Sequence, residues 1–389
     1  MKRGAAVLSS PPALETVRVE GIDNLWALTT LRPQWNELVR ASAADGPFLT
    51  WEWLHTWWKH LHGADALKAV AVRDGTDLIA IAPLRVTAGA VPWCSRLEFL
   101  GTGHAGSDYL DLIVRSGRET DALGAIARFL GTQKMTVKLD HLPAGSLGAR
   151  LAERLASEGW VASVEPGGVC PVIPLAGHTW DSYLGTLGSA HRANVRRRLR
   201  ALGQRFQMRF EQVTSEFQRR EALEALGAFH ERRFRTDGGS TAFFTPALRA
   251  FQDEATRRAL DRGWLRMYVL WLDDTQAAVM YGFFYNRQFS FYQHGFDDQY
   301  ARYSVGLAVM ALTIRAAIDE GAQTFDLLWG TEPYKWLWAK ETRTQRQIHL
   351  FPPHLSGRAH RLAVEARRRL GRLARRVRPP GGTRAPSSA

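Results

Sequence analysis

Between Leu265 and Phe296 the chain holds three strand-like runs, Leu265–Leu272, Ala277–Asn286 and Gln288–Phe296, parted only by the turns Asp273-Asp274-Thr275-Gln276 and Asn286-Arg287. Connections this short join antiparallel neighbours. A polar loop follows, then a helix from about Val305 to Glu320, a stop at Gly321 and a further strand, Thr324–Trp329. A short helix near Pro333–Lys340 and a strand at Gln347–Phe351 complete the run. Upstream lie a strand (Met208–Val213), a long helix (about Glu216–Arg235) and another helix (Pro246–Asp261). The order predicts an α/β (α+β) unit: a mixed, mostly antiparallel sheet flanked by helices.

The full 389 residues exceed the roughly 100–200 of one domain. Residues 1–14 read as a flexible leader, 15–168 as a first domain, 169–353 as a second and 354–389 as a tail. Pro166-Gly167-Gly168, with Pro171 and Pro174, marks the boundary. In the first domain Trp51, Leu54, Trp58 and Leu61 recur at helical spacing, a hairpin turns at Arg73-Asp74-Gly75-Thr76, and strands are expected near Leu97–Leu100 and Tyr109–Val114. Both halves mix a hairpin-type sheet with helices, which suggests a duplication.

Gly101-Thr102-Gly103-His104-Ala105-Gly106 matches a dinucleotide fingerprint, but Ser107–Val114 alternates like a strand where that motif needs a helix. It reads as a glycine loop, with Asp108 placed to line a substrate cleft. His55, His60 and His62 lack metal-ligand spacing and read as decorating the exposed side of the Trp-rich helix; no metal is expected. No serine-hydrolase elbow or Walker loop appears.

The net charge of +13 is local. Residues 358–389 carry +9 and residues 191–209 carry +7, so the remaining chain is slightly acidic and no whole-surface nucleic-acid footprint is implied. No apolar run approaches the roughly 18 residues of a membrane span. Two cysteines, Cys94 and Cys170, argue against a disulfide framework and for a cytoplasmic setting. Leu362, Ala366, Leu370, Leu373 and Val377 form one apolar stripe on an arginine-studded tail helix. Peripheral contact with the inner face of an anionic membrane, or a partly disordered basic extension, are its two readings.

The segment FDLLWGTEPYKWLWAK, Phe325 to Lys340, resembles the FDF-x-G-x-E-x-YK-x-x-W signature of the FemAB-like, two-domain branch of the GNAT acyltransferases, where CelD-like proteins associated with polysaccharide biosynthesis also belong. Supporting tracts are FHERR before a glycine loop and Phe243-Phe244, RYSVG before the Val305 helix, PFLTWEWLHTWW, and LEFLG…SDYLDLIV. The resemblance spans about residues 30–350. It implies tandem GNAT-like domains, the first of which shapes the acceptor side and need not itself be catalytic. It also implies transfer of an acyl group, acetyl or longer, from acyl-CoA to an amine or hydroxyl of a sugar, a polysaccharide precursor or a peptide. In CoA-using members the loop before the helix reads Arg/Gln-x-x-Gly-x-Gly/Ala; here Arg302 to Gly306 is one residue too long and has one glycine. Acyl-carrier protein and aminoacyl-tRNA therefore remain alternative donors, and Arg192, Arg196, Arg197 and Arg200 could meet such a polyanion.

Acyl transfer needs an oxyanion donor, a base for the nucleophile and an acid for the leaving group. GNAT-like folds take the first from backbone N–H groups where two strands splay. His294, Asp326, Glu332 and Tyr334 are the candidate catalytic groups. Arg302, Ser304, Val305 and Gly306 form the candidate donor-phosphate loop at a helix N-terminus, and Arg233, Asp297, Lys335 and Asp108 the candidate substrate contacts. Each has a plainer reading. His294 could be a hydrogen-bonded core histidine, Asp326 half of a buried ion pair with an arginine, Glu332 a helix cap, Tyr334 aromatic packing and Arg233 a helix-end cation. The rival to an enzyme is a non-catalytic glycan- or polyanion-binding module, which gives no reason to gather His294, Asp326 and Glu332 in one cleft.

Overall fold

The structure is a computed structural model that describes residues 17–89, 95–103, 105–237 and 245–377. The first half runs β1 (Val17–Ile22), α1 (Leu25–Thr30), α2 (Arg32–Arg40), α3 (Trp51–Leu61), β2 (Ala66–Leu67), β3 (Ala69–Asp74), β4 (Asp77–Ala82), β5 (Leu84–Thr87), β6 (Arg96–Phe99), β7 (Ile113–Val114), α4 (Glu119–Gln133), β8 (Thr136–Pro143) and α5 (Leu147–Ser157). Then come β9 (Val161–Pro174), α6 (Trp180–Thr186), α7 (Ser189–Arg205), β10 (Met208–Gln212), α8 (Glu216–Asp237), α9 (Pro246–Asp261), β11 (Leu265–Leu272), β12 (Thr275–Tyr285) and β13 (Gln288–Phe296). The chain finishes with α10 (Val305–Asp319), β14 (Thr324–Asp326), β15 (Glu341–Phe351) and α11 (Leu355–Val377). The leader 1–14, Cys94, His104, the Gly238-Gly239 loop, Phe243-Phe244 and the end of the tail lie outside the described residues.

The three-strand meander forms as its turns dictate: β10, β11, β12 and β13 pair antiparallel in sequence. Among the described residues they belong to one sheet of eleven strands, ordered β10-β11-β12-β13-β14-β9-β15-β8-β6-β5-β2, beside a smaller sheet β1-β3-β4-β7. The expected mixed, mostly antiparallel α/β architecture is thus present. The last strand starts earlier than its apolar core suggests. β15 carries polar residues from Glu341 on and lies between β9 and β8, which joins both halves of the chain into one sheet.

Two stretches take a different form from their local reading. Pro166-Gly167-Gly168, read as the boundary, lies inside β9, opposite Gln345 and Arg346, where the register shifts. A Cβ on Gly167 would meet the Arg346 backbone at 2.8 Å. Of the strand expected over Tyr109–Val114, only Ile113–Val114 pairs. Tyr109 turns the chain at φ 56°, so the alternation before it marks a buried loop rather than a ladder.

The Trp-rich helix is also more deeply set than one apolar stripe implies. Trp51 through Trp58 are all buried, because α9 from the second half covers the face the stripe leaves open. His55 is therefore inside, stacked on Trp51 and within 3.0 Å of the Thr29 hydroxyl, and His60 meets Glu254 at 2.7 Å. One apolar core runs from α2 and α3 through α9 to β11 and β12; a second lies under α10 against Phe289 and Phe325. Among the described residues no helix is long and apolar enough to cross a membrane.

Candidate active site

The helix α10 links β13 to β14 as a crossover, so these two strands run parallel within an otherwise antiparallel stretch. They pair only at Gln288–Thr324, Phe289–Phe325 and Ser290–Asp326. Beyond Ser290, β13 continues to Phe296 while the chain after Asp326 turns away, and the gap opens into a cleft of about 820 Å³. At the mouth of the gap β13 has a β-bulge. Phe291 pairs with Gly282 and Gln293 with Tyr281, leaving Tyr292 as the extra residue. Such a bulge frees a backbone group from the ladder and re-aims side chains. Gly282 permits it, since any Cβ there would collide with the Ser290 carbonyl.

The opposite wall is the segment Leu327–Lys335. It turns sharply, with Leu328 at φ 55° and Gly330 at φ 135°. A left-handed leucine is strained, and the bonds around it show what holds it. The Leu328 N–H donates to Asp326 Oδ1 at 2.8 Å, and the Trp329 N–H donates to Asp108 Oδ2 at 3.0 Å. Lys335 Nζ donates to the Trp329 carbonyl at 2.8 Å and the Leu328 carbonyl at 3.4 Å, and pairs with Glu332 at 3.1 Å. The Trp329 indole, 58% exposed at the rim, lies against Gly168, where no Cβ could fit.

The first half closes the third side through Gly103, Ala105, Gly106, Asp108, Asp140 and His141. Its Tyr109 hydroxyl donates to Asp326 Oδ2 at 2.7 Å, and Gln345 Nε2 on β15 donates to Asp108 Oδ1 at 2.7 Å. The fourth side is the C-terminal part of α8, with Phe229, His230 and Arg233.

His294, Glu332, Tyr334, Lys335, Arg233 and Asp108 all line this cleft. The rings of His294 and Tyr334 lie 5.8 Å apart. Burial, helped by His230, Arg233 and Lys335, lowers the His294 imidazolium to about 4, so the ring is neutral at physiological pH. Burial likewise lowers His230 to about 4, and its side chain hydrogen-bonds the His294 backbone. Burial first, and Glu332 second, raise the Tyr334 phenol, which fits it to donate a proton rather than accept one.

Asp326 is not in the cleft. It is fully buried behind it, shared among the Leu328 N–H, Tyr109 and Arg343 Nη1 at 3.1 Å, so the ion pair with an arginine is what the structure contains. Burial raises its carboxyl to about 6 against these hydrogen bonds. Asp297 also stands apart: it pairs with Arg232 at 3.3 Å and caps the turn after β13 through the Gln299 N–H. Lys335 lines the cleft, but its three donors serve the Leu328–Glu332 loop.

Arg302, Ser304, Val305 and Gly306 border the cleft rather than line it. Val305 is buried and the Arg302 guanidinium stacks on Tyr303. Ser304, at φ 61°, caps α10 without a side-chain bond, which leaves the first N–H groups of the helix without a side-chain cap. A Cβ on Gly306 would meet the Phe296 ring at 3.2 Å, and the Arg233 guanidinium lies 5.6 Å from the same ring. The α10 N-terminus is therefore one ring's width from the cleft.

Tyr109, Gln345, His141, His230 and Arg343 complete the surroundings and were not among the expected groups. His230 stood in the FHERR tract. Tyr109, Gln345 and His141 act across the two halves, where spacing along the chain carries no signal, whereas Arg343 on β15 meets Asp326 and Gln288 within its own half. Among the described residues no group of His, Cys, Asp or Glu is arranged to hold a metal.

Residues 189–336 match the acetyltransferase (GNAT) domain family. The whole chain has the fold of FemX, with a TM-score of 0.61 at 11% identity over 85% of this chain and 98% of that one. It is similarly like the C-terminal domain of a putative lysylphosphatidylglycerol synthetase from Agrobacterium fabrum (TM-score 0.53, 12% identity, 87% and 96% covered) and L-PGS from Bacillus licheniformis (0.52, 11%, 87% and 96%). No curated protein matches the sequence. Residues 189–336 thus carry a GNAT acetyltransferase domain, and the chain around them shares the fold of FemX.

Proposed function

We propose that the protein transfers an acyl group from acyl-CoA to an amine or hydroxyl of a sugar, polysaccharide precursor or peptide, by direct attack in the cleft between β13 and β14. The observation that carries this reading is the splay itself: a bulged strand at Tyr292 borders a cavity that also holds a neutral imidazole and a protonated phenol. In this reading the backbone N–H groups of the bulge receive the oxyanion. The nucleophile's proton passes to His294, to Glu332 or to water, and Tyr334 supplies one to the leaving thiolate. The donor's phosphates lie at the α10 N-terminus beside Arg233. Cys170 does not enter: it is buried, and burial, with Asp108 close by, raises its thiol far from the thiolate form.

A second donor reading, a macromolecular polyanion such as acyl-carrier protein or aminoacyl-tRNA, is favoured by α7. Among the described residues the only carboxylate within ion-pair distance of an α7 arginine is Asp181, on Arg196. Arg205 stacks on Tyr303, next to the α10 N-terminus. The FemX and lysylphosphatidylglycerol synthetase folds are compatible with it. Contact of α11 with anionic lipid, suggested by exposed Leu355 and Leu362 on an arginine-rich helix, belongs to the same proposal.

Thermal shift with acetyl-CoA, longer acyl-CoAs and CoA separates the donors. A ligand at a hundred times its Kd adds about 2.7 kcal/mol. A shift that Gly306→Glu abolishes supports CoA at α10; no shift with any of them removes the CoA reading and leaves the polyanion, whose binding would weaken steeply with salt.

A further inference from the structure

Beyond the Asp108–Tyr109 segment lies a second cavity of about 560 Å³ that acyl transfer leaves unused. Its walls include the start of β13, Gln288 and Ser290, whereas Phe291–Phe296 line the cleft. Two opposite charges face it. On one side Asp45 accepts hydrogen bonds from the Tyr285 hydroxyl at 2.7 Å and from the Asn286 amide. Those bonds fix the carboxylate and leave each oxygen a further acceptor site. On the other, Arg343 aims Nη1 at Asp326 (3.1 Å) and Gln288 (2.7 Å), while its Nε and Nη2 have no partner among the described residues. The side chain is 43% exposed and forms part of the cavity wall. A guanidinium anchored at one end by a buried carboxylate presents its other edge as a preset fork for an anion.

We propose that this cavity binds an anionic sugar, one carrying a phosphate or carboxylate on a hydroxylated ring. The anion sits on the Nε/Nη2 edge of Arg343, and ring hydroxyls donate to Asp45. A cation and a fixed acceptor in one cavity select against ligands that carry no charge and no hydroxyl. The site is separate from the donor cleft and is read by binding alone, so it stands or falls independently of the acyl-transfer proposal.

Isothermal titration calorimetry on the full chain, without acyl donor, compares glucose 6-phosphate, glucuronate, glucose and inorganic phosphate. At least one anionic sugar is expected to bind about tenfold or more tighter than glucose or phosphate. Arg343→Gln should weaken it about tenfold or more, and Asp45→Asn should weaken the sugar but not inorganic phosphate. Should Arg343→Gln fail to fold because Asp326 loses its cation, Asp45→Asn carries the test, since Asp45 lies in a half-buried loop outside the strands and helices. The proposal is overturned if neither anionic sugar binds, if phosphate binds as well as the sugar phosphate, or if binding ignores the substitutions.

Discussion

Replacing Lys335 by methionine asks whether this ammonium serves the fold or the substrate. Its side chain is only 4% exposed, and its protons go to the carbonyls of Trp329 and Leu328 and to Glu332. Methionine keeps most of the stem and removes the charge. The contact at 3.4 Å is weak by its length, so the bond to Trp329 dominates. A hydrogen bond from a charged donor is worth about 1.5–3 kcal/mol, and a buried carbonyl left unsatisfied costs about 1–3. Glu332 adds little, because its carboxylate is 53% exposed and returns to water. The expected loss is about 2–4 kcal/mol, concentrated in the turn where Leu328 is left-handed. Equilibrium urea unfolding followed by tryptophan emission measures it, with the midpoint lowered and the slope kept. Glu332→Gln is the control and should lose less than about 1 kcal/mol. A Lys335→Met protein within about 0.5 kcal/mol of the parent would refute the reasoning and return the ammonium to a substrate-binding role.

Other outcomes follow from the same geometry. Burial raises the Asp326 carboxyl to about 6, above its ordinary 3.8, so the stability it contributes is fully present below about 3.8 and is lost as pH rises through about 6. Asp326→Asn should remove on the order of 3 kcal/mol of that slope, and parallel slopes in the two proteins would rule the shift out. His294 and His230 act in the opposite sense: held near 4, they contribute stability that is present above 6.5 and lost as pH falls toward 4. If His294 is the base, kcat/KM should stay level from pH 6 to 8 and fall only toward pH 4; an inflection near 6.5 would point to another group. Tyr109→Phe removes one bond from a buried carboxylate and should cost about 1.5–3 kcal/mol; a change under about 0.5 kcal/mol in urea unfolding would deny the coupling between halves. Gly282→Ala forces a Cβ onto the Ser290 carbonyl and should cost about 3 kcal/mol or abolish the bulge, which donor binding by thermal shift would register.

Local pattern was enough for much of this molecule. Turn residues at 273–276 and 286–287 set the β11–β13 meander, helical spacing set α3 and α10, and the Phe325–Lys340 motif pointed to the acyltransferase core. These readings succeed because each rests on contacts between residues close along the chain. The expected cleft residues His294, Glu332, Tyr334 and Lys335 come from two such neighbouring stretches, and they do meet.

What tertiary structure alone decided involves partners far apart in the chain. Asp326 reads as catalytic until Tyr109, 217 residues away, and Arg343 are seen to occupy it. Pro166-Gly167-Gly168 reads as a boundary, and only the pairing of β15 across it shows that it sits within a strand. His55 reads as exposed until α9 covers α3. Periodicity marks a side chain as facing inward or outward relative to its own element, but which second surface arrives there is set by how the whole sheet closes. The two cavities either side of Asp108 exist only once β9, β13, β14 and β15 have come together.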